Sequence, residues 1–238
     1  MPAVEPPKGV QPRPQYFLLP AGSFLWRVIK RPTAAADDTG QSPFRQFPAQ
    51  ADTYDPRWGG RFGPASDCPY PYCYAAFDDL TALCEVLLRD VAFDAPQRYL
   101  PIHQVAGRWL GMLETTAPLW LVSLLDAADL AAACQDSWLV HTEAPNYRIT
   151  QRWAHWLRDS PGPDGKGPAG IVWPSKRQPS GRAVLLFGDR CQGAVIHSPF
   201  GERRLCDAAG MSWLNLRLSL LRTQLAPALP QTAGATGA

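Results

Sequence analysis

Arg27, Arg61, Tyr74, Glu85 and Ser175 are the residues whose types and settings could do chemistry if the fold brings them together. Arg27 stands in the apolar, β-prone run FLWRVIK (24–30). Alternation along a strand puts it on the face of Leu25 and Ile29, where an unpaired guanidinium would cost several kcal/mol, so it needs an anionic partner, a carboxylate of the protein or a ligand. The turn GGRFGP (59–64) offers backbone N–H groups without Cβ obstruction beside Arg61, a setting that suits phosphate oxygens. Glu85 lies about 100° from Cys84 around a helix, at the edge of its buried stripe, where it can reach a cleft without being locked in the core. Taken singly, each has a commoner role: Arg27 in a structural ion pair, Arg61 in a plain turn, Tyr74 in the core, Glu85 in solvent, Ser175 in a local turn hydrogen bond.

The elements that would position them can be read from pattern. Strands are predicted at 24–30, at YCYAA (72–76), at LWLVSLL (119–125) and in GIVWPS, AVLLF and AVIH. DDLTALCEVLLRDV (78–91) is the clearest helix, with Asp78 or Asp79 as cap and Leu80, Leu83, Cys84, Leu87, Leu88 and Val91 on one stripe. Helices are predicted at 126–135, at 150–159 with Thr150 at its start, and at 212–225 with Ser212 as cap; alternating leucines leave the last open to a strand reading. Strands before and after a helical middle make the class α+β. The Pro-rich residues 1–15 are expected to be disordered or draped over the surface, 16–225 to form one domain, 31–57 to be a long loop, and 226–238 a flexible tail.

Composition excludes several classes. The 238 residues carry 23 basic and 21 acidic side chains, a net +2, so no broad polycationic surface invites direct nucleic-acid binding. Six cysteines without a C-x-x-C and four scattered histidines match no zinc pattern, so no metal is expected and the thiols read as reduced and mostly buried. The longest apolar stretch, Ala117–Leu125, falls far short of the roughly 18 residues that span a bilayer. The N-terminus suits neither signal peptide nor anchor, so a soluble cytoplasmic protein is expected.

The ordered set says more than its members. LWR, GGRF, YCYAA leading into ALCEVLL, TQRWAHWL and GIVWPS, in this order over most of 24–190, resemble the RES domain family. By position, Arg27, Glu85 and Ser175 match the Arg, Glu and Ser that give the family its name; Arg61, Tyr74 and Thr150 match further pocket positions. The resemblance implies an ADP-ribosyltransferase-like split β-sheet core with surrounding helices. It implies cleavage of the nicotinamide–ribose bond of NAD⁺, by water or by inorganic phosphate as co-substrate, with no further cofactor. It also implies a growth-inhibiting toxin held by an Xre-like antitoxin protein, and it is compatible with a homo-oligomer. Transfer of ADP-ribose to a protein acceptor and non-catalytic NAD binding are the competing readings. On this view Arg27 and Arg61 hold the pyrophosphate, Arg27 falling back on Glu85 when the site is empty. Tyr74 lies against the nicotinamide, Glu85 stabilises the ribose cation, and Ser175 orients the ribose or the carboxylate.

Overall fold

The computed structural model of the chain describes residues 5–31, 42–47, 60–191 and 193–226. Strand β1 (Tyr16–Leu19) leads into β2 (Phe24–Lys30), the whole of the FLWRVIK run. After β3 (Tyr72–Ala76) and helix α1 (Asp79–Leu87) come β4 (Arg98–Pro101), β5 (Arg108–Thr115) and β6 (Leu119–Ser123). Helices α2 (Ala127–Ala132), α3 (Trp138–His141) and α4 (Tyr147–Arg158) form the helical middle. The chain closes with β7 (Gly170–Pro174), β8 (Arg182–Phe187), β9 (Val195–His197), β10 (Arg203–Arg204), α5 (Ala208–Ser219) and β11 (Thr223–Ala226).

Nine strands form one sheet in the order β1-β6-β7-β8-β3-β2-β5-β10, with β9 also on β5, while β11 pairs with β4 separately. Alternation sends Tyr72, Val122, Ile171, Trp173, Leu185 and Phe187 into a core with Trp153 and Leu157 of α4. Cys73, Leu121, Val172, Val184 and Leu186 point the other way, into a core shared with Leu19, Leu25 and Leu113. A third core joins α1 to α5 through Leu83, Leu87, Leu214 and Leu218. Each fully buried leucine contributes about 1.5–3 kcal/mol relative to exposure.

The sheet is split where it matters. β3 pairs with β8 over five residues and β2 with β5 over seven, yet β2 and β3 share one register pair, Trp26 opposite Ala76. From there the two halves part. The α+β class and the split sheet agree with the resemblance.

Several elements differ from the sequence expectation. β5, the principal partner of β2, is not among the predicted strands: it is buried on both faces from Leu110 to Leu113, so no alternation marks it. Helix α4 starts at Tyr147 rather than Thr150, fed by a 3₁₀ turn at Ala144–Asn146. The last helix starts four residues early, since Asp207 accepts from Gly210 N at 2.7 Å, while Ser212 donates to Ala208 O inside the helix. It ends at Ser219; beyond it Arg222 adopts φ 48° and Leu225 belongs to a strand. Helix α1 ends at Leu87 rather than 91, and its cap is Asp78, which accepts from Thr81 N and Thr81 Oγ1, each at 2.7 Å. Residues 5–15 run irregularly against α4, with Val10 O accepting from Trp156 Nε1 at 3.0 Å. Most of 31–57 and residues 227–238 lie outside the described residues. Six cysteines are free; Cys73, Cys84 and Cys191 are buried. No helix among the described residues is long and apolar enough to cross a membrane.

One close approach ties α1 to the sheet. A Cβ on Gly181 would lie 1.9 Å from Thr81 Oγ1 and 3.0 Å from Thr81 Cβ, and Thr81 is fully buried and fixed by Asp78. Gly181→Ala is expected to lower stability by about 1–3 kcal/mol, the usual range for overpacking. A fall in the urea midpoint at unchanged slope checks it; an unchanged midpoint would show that the helix yields freely.

Candidate active site

Where β2 and β3 part, a cavity of about 830 Å³ opens. Its described walls include residues 26–31 of β2 and its exit, 72–76 of β3, Glu85 and Arg89 from the α1 region, Tyr147 of α4, and Trp173 with Lys176 and Arg177 from the end of β7. Among the described residues, nine lysine and arginine side chains line it against two carboxylates, Glu85 and Glu143. The chain as a whole is nearly neutral, so the fold has gathered cations in one place.

Arg27 points from β2 into this space. One terminal nitrogen donates to Pro43 O and lies 3.4 Å from Cys73 Sγ, and the buried Arg27 Nε has no partner among the described residues. The expected fallback on Glu85 does not occur, because Glu85 is held elsewhere and Arg27 stays on neutral acceptors. Arg61 is 8% exposed, donates to Thr142 O at 3.2 Å and lies 5.7 Å from the Tyr147 ring centre, with its Nε unpartnered.

Tyr74 lines the cavity and accepts from Phe62 N at 3.0 Å, which fixes the turn that carries Arg61. Its ring meets Trp173 edge-to-face at 6.0 Å. Burial pushes its phenol well above the ordinary range, so it remains neutral. A Cβ on Gly60, where φ is +67°, would meet Tyr74 Oη at 2.9 Å, so this turn needs glycine both for its backbone and for the ring beside it.

Glu85 accepts from Ser175 Oγ at 2.5 Å. Ser175 Oγ itself accepts from Arg177 N at 3.2 Å and Gln178 N at 3.0 Å, so its single proton is directed at the carboxylate. Ser175 is 1% exposed and stands behind the cavity wall rather than in it. Of the two orientations sequence left open, the serine holds the carboxylate. Its turn is set by Ser175 N donating to Gly181 O at 2.8 Å, next to the Gly181–Thr81 approach. Burial, then the nearby Glu85 charge, pushes the neighbouring Cys84 thiol up to about 11.

Thr150 does not reach the cavity. It is fully buried, and its hydroxyl lies 2.5 Å from Arg61 O and 3.1 Å from Tyr147 O, so it supports the Arg61 turn from behind. The fold thus brings Arg27, Arg61, Tyr74 and Glu85 to one surface and places Ser175 and Thr150 beneath it. Sequence reasoning missed Arg45, Arg89, Arg108, Glu143 and Tyr147 in the wall. Arg89 had a signal, four residues after Glu85; the others depend on pairings that no local pattern reveals. Glu143 is paired with Lys176, whose hydrogen bond is the main cause holding its carboxyl below the usual range.

Ser175→Ala is expected to leave two N–H groups and one carboxylate oxygen without their partner and to cost about 1–3 kcal/mol. A lower melting temperature together with faster amide exchange at 177–178 checks it; unchanged exchange would show that another acceptor replaces the hydroxyl.

The RES domain family model matches residues 24–206. The chain is similar to a chain in the crystal structure of the M. tuberculosis MbcT–MbcA toxin–antitoxin complex, with a TM-score of 0.53 and 14% identity over 82% of this chain and 90% of that one. No curated protein matches the sequence.

Proposed function

The chain belongs to the RES domain family, and from that membership we propose that it cleaves the nicotinamide–ribose bond of NAD⁺ and acts as a cytoplasmic growth-inhibiting toxin restrained by an antitoxin protein. The observation that carries the chemistry is the fixed Glu85 carboxylate in a cavity otherwise crowded with cations. A dinucleotide presents a diphosphate for guanidiniums and, on bond cleavage, a cationic ribose for a carboxylate. The antitoxin part rests on the family and on the likeness to a protein in a toxin–antitoxin complex.

In the proposed reaction the ribose C1–nitrogen bond breaks and its electron pair stays on nicotinamide, which leaves neutral. An oxygen of water or inorganic phosphate forms the new bond to C1, and a proton is released to solvent when water attacks. Arg27 and Arg61 hold the diphosphate by charge-assisted hydrogen bonds. Glu85 faces the oxocarbenium-like centre and stabilises it, and Ser175 stops the carboxylate from turning to the surrounding cations. Tyr74 offers a neutral flat surface for the nicotinamide ring.

Purified protein is expected to release nicotinamide from NAD⁺, read by chromatography with and without phosphate. Glu85→Gln keeps size and one acceptor but loses the charge, so turnover should fall roughly 10²–10³-fold while NAD⁺ affinity changes little. Near wild-type turnover by folded Glu85→Gln would remove Glu85 from the reaction. Nicotinamide release that requires an added protein acceptor would make the enzyme a transferase, and binding without release would make it a non-catalytic module.

Expression in bacteria is expected to lower intracellular NAD⁺ and slow growth, and Glu85→Gln should relieve both. Normal growth and NAD⁺ at verified soluble expression would count against the toxin role.

A further inference from the structure

Arg89 follows Glu85 by four residues, in the turn that closes α1, and both side chains line the cavity. Opposite charges at this spacing ordinarily pair. Here they do not. Glu85 is engaged by Ser175, and Arg89 donates to Tyr147 Oη at 2.5 Å with its guanidinium carbon 5.3 Å from the Tyr147 ring centre. Arg61 lies 5.7 Å from the same ring centre, so one aromatic ring serves two guanidiniums. Neither has a carboxylate partner among the described residues. A phenol and a ring face orient a guanidinium without neutralising it, leaving its charge and most of its donors for a ligand. Among the described residues Arg27 has no partner in common with Arg61 and Arg89, since it reaches Pro43 and Cys73 instead. Among the arginines that line the cavity, Arg27 reaching in from β2 is therefore separate from the pair, Arg61 and Arg89, organised by Tyr147.

We propose that Arg89 is a further substrate-binding residue, which takes a phosphate group of the dinucleotide, and that Tyr147 is the positioning residue that holds it away from Glu85. This rests on the reading of the cavity as a dinucleotide site. A planar guanidinium matches two phosphate oxygens at once, and its separation from Glu85 leaves the carboxylate free for the ribose. Tyr147 acts on both arginines of its group, so its hydroxyl and its ring have separable contributions.

The test uses the full chain with Arg89→Ala, Arg89→Lys and Tyr147→Phe, and with Arg152→Ala as a control on the exposed side of α4, where Arg152 pairs with Glu5. Two quantities are read: steady-state NAD⁺ turnover, and calorimetric affinity for ADP-ribose, which keeps the diphosphate but lacks the scissile bond. Loss of a charge-assisted contact made in both ground and transition states should raise KM and the ADP-ribose Kd of Arg89→Ala roughly 10- to 100-fold, with kcat little changed. Arg89→Lys keeps the charge and should recover part of the loss. Tyr147→Phe keeps the ring and should show the same KM-directed loss at smaller amplitude, and Arg152→Ala should match wild type. Unchanged KM and Kd in both Arg89→Ala and Tyr147→Phe overturn the proposal. So does a fall in kcat at unchanged KM, which would make Arg89 a support for Glu85. If Arg89→Ala does not fold, Arg89→Lys and Tyr147→Phe decide by the same split. Wild-type protein that neither binds ADP-ribose nor consumes NAD⁺ overturns the reading of the cavity itself, an outcome distinct from the others because it appears before any variant is made.

Discussion

A single residue pair, Trp26 opposite Ala76, is all that joins the two halves of the sheet through β2 and β3. Continued pairing would close the space that the cavity occupies, and Arg27 would then be an unpaired charge inside a sheet. Splaying resolves that conflict. Each half remains internally well bonded, β2 through β5 and β3 through β8, so the gap is held open from both sides. Helix α1 follows β3 after two residues and brings Glu85 and Arg89 to the cavity, with the Asp78 cap and the Gly181 approach fixing its first turn.

Among the described residues, the cations around this gap are managed largely without carboxylates. Arg31 is neutralised by Glu202 and Lys176 by Glu143, both at the margins of the wall. Arg27, Arg61, Arg89 and Arg108 instead donate to carbonyl or phenol oxygens. Neutral acceptors satisfy part of each guanidinium's hydrogen-bonding demand and leave its field intact. Like charges in one cavity repel, and in the proposed function an entering polyanion would relieve that repulsion and gain the donors. The proposed affinity for a phosphate-bearing ligand rests on this arrangement of cations without carboxylate partners among the described residues.

The sequence revealed what local physics determines. The β2 run, the β3 run and the α1 stripe were all apparent, because alternation and helical period report burial on one face. For Arg27 the sequence asks for an anionic partner, whereas among the described residues its guanidinium meets the neutral Pro43 carbonyl and Cys73 thiol. That solution was not readable. Pro43 and Cys73 are distant in sequence, and the pairing that sets the cavity's width involves β5, a strand with no period because it is buried on both faces. The charge balance misled in a similar way. A net charge of +2 over the chain says nothing about nine cations of the described residues sharing one wall. Position-by-position resemblance gathered four residues at that wall, yet by itself it did not separate groups that face the cavity from groups that hold them.

That separation is the structural sense of the two hydroxyls. Ser175 and Thr150 are both buried, and each contacts a residue that does reach the cavity, Ser175 the Glu85 side chain and Thr150 the Arg61 backbone. A hydroxyl suits this task because it can accept and donate at once. Ser175 accepts from two backbone N–H groups and donates its one O–H to the carboxylate, so the turn at the end of β7 dictates where Glu85 points. An amide would add a second donor needing a partner, and a carboxylate in place of Ser175 would repel Glu85. The direction of the proton is thus set by backbone geometry. In a cavity lined by nine cations among the described residues, that neutral donor holds the Glu85 carboxylate apart from the arginines.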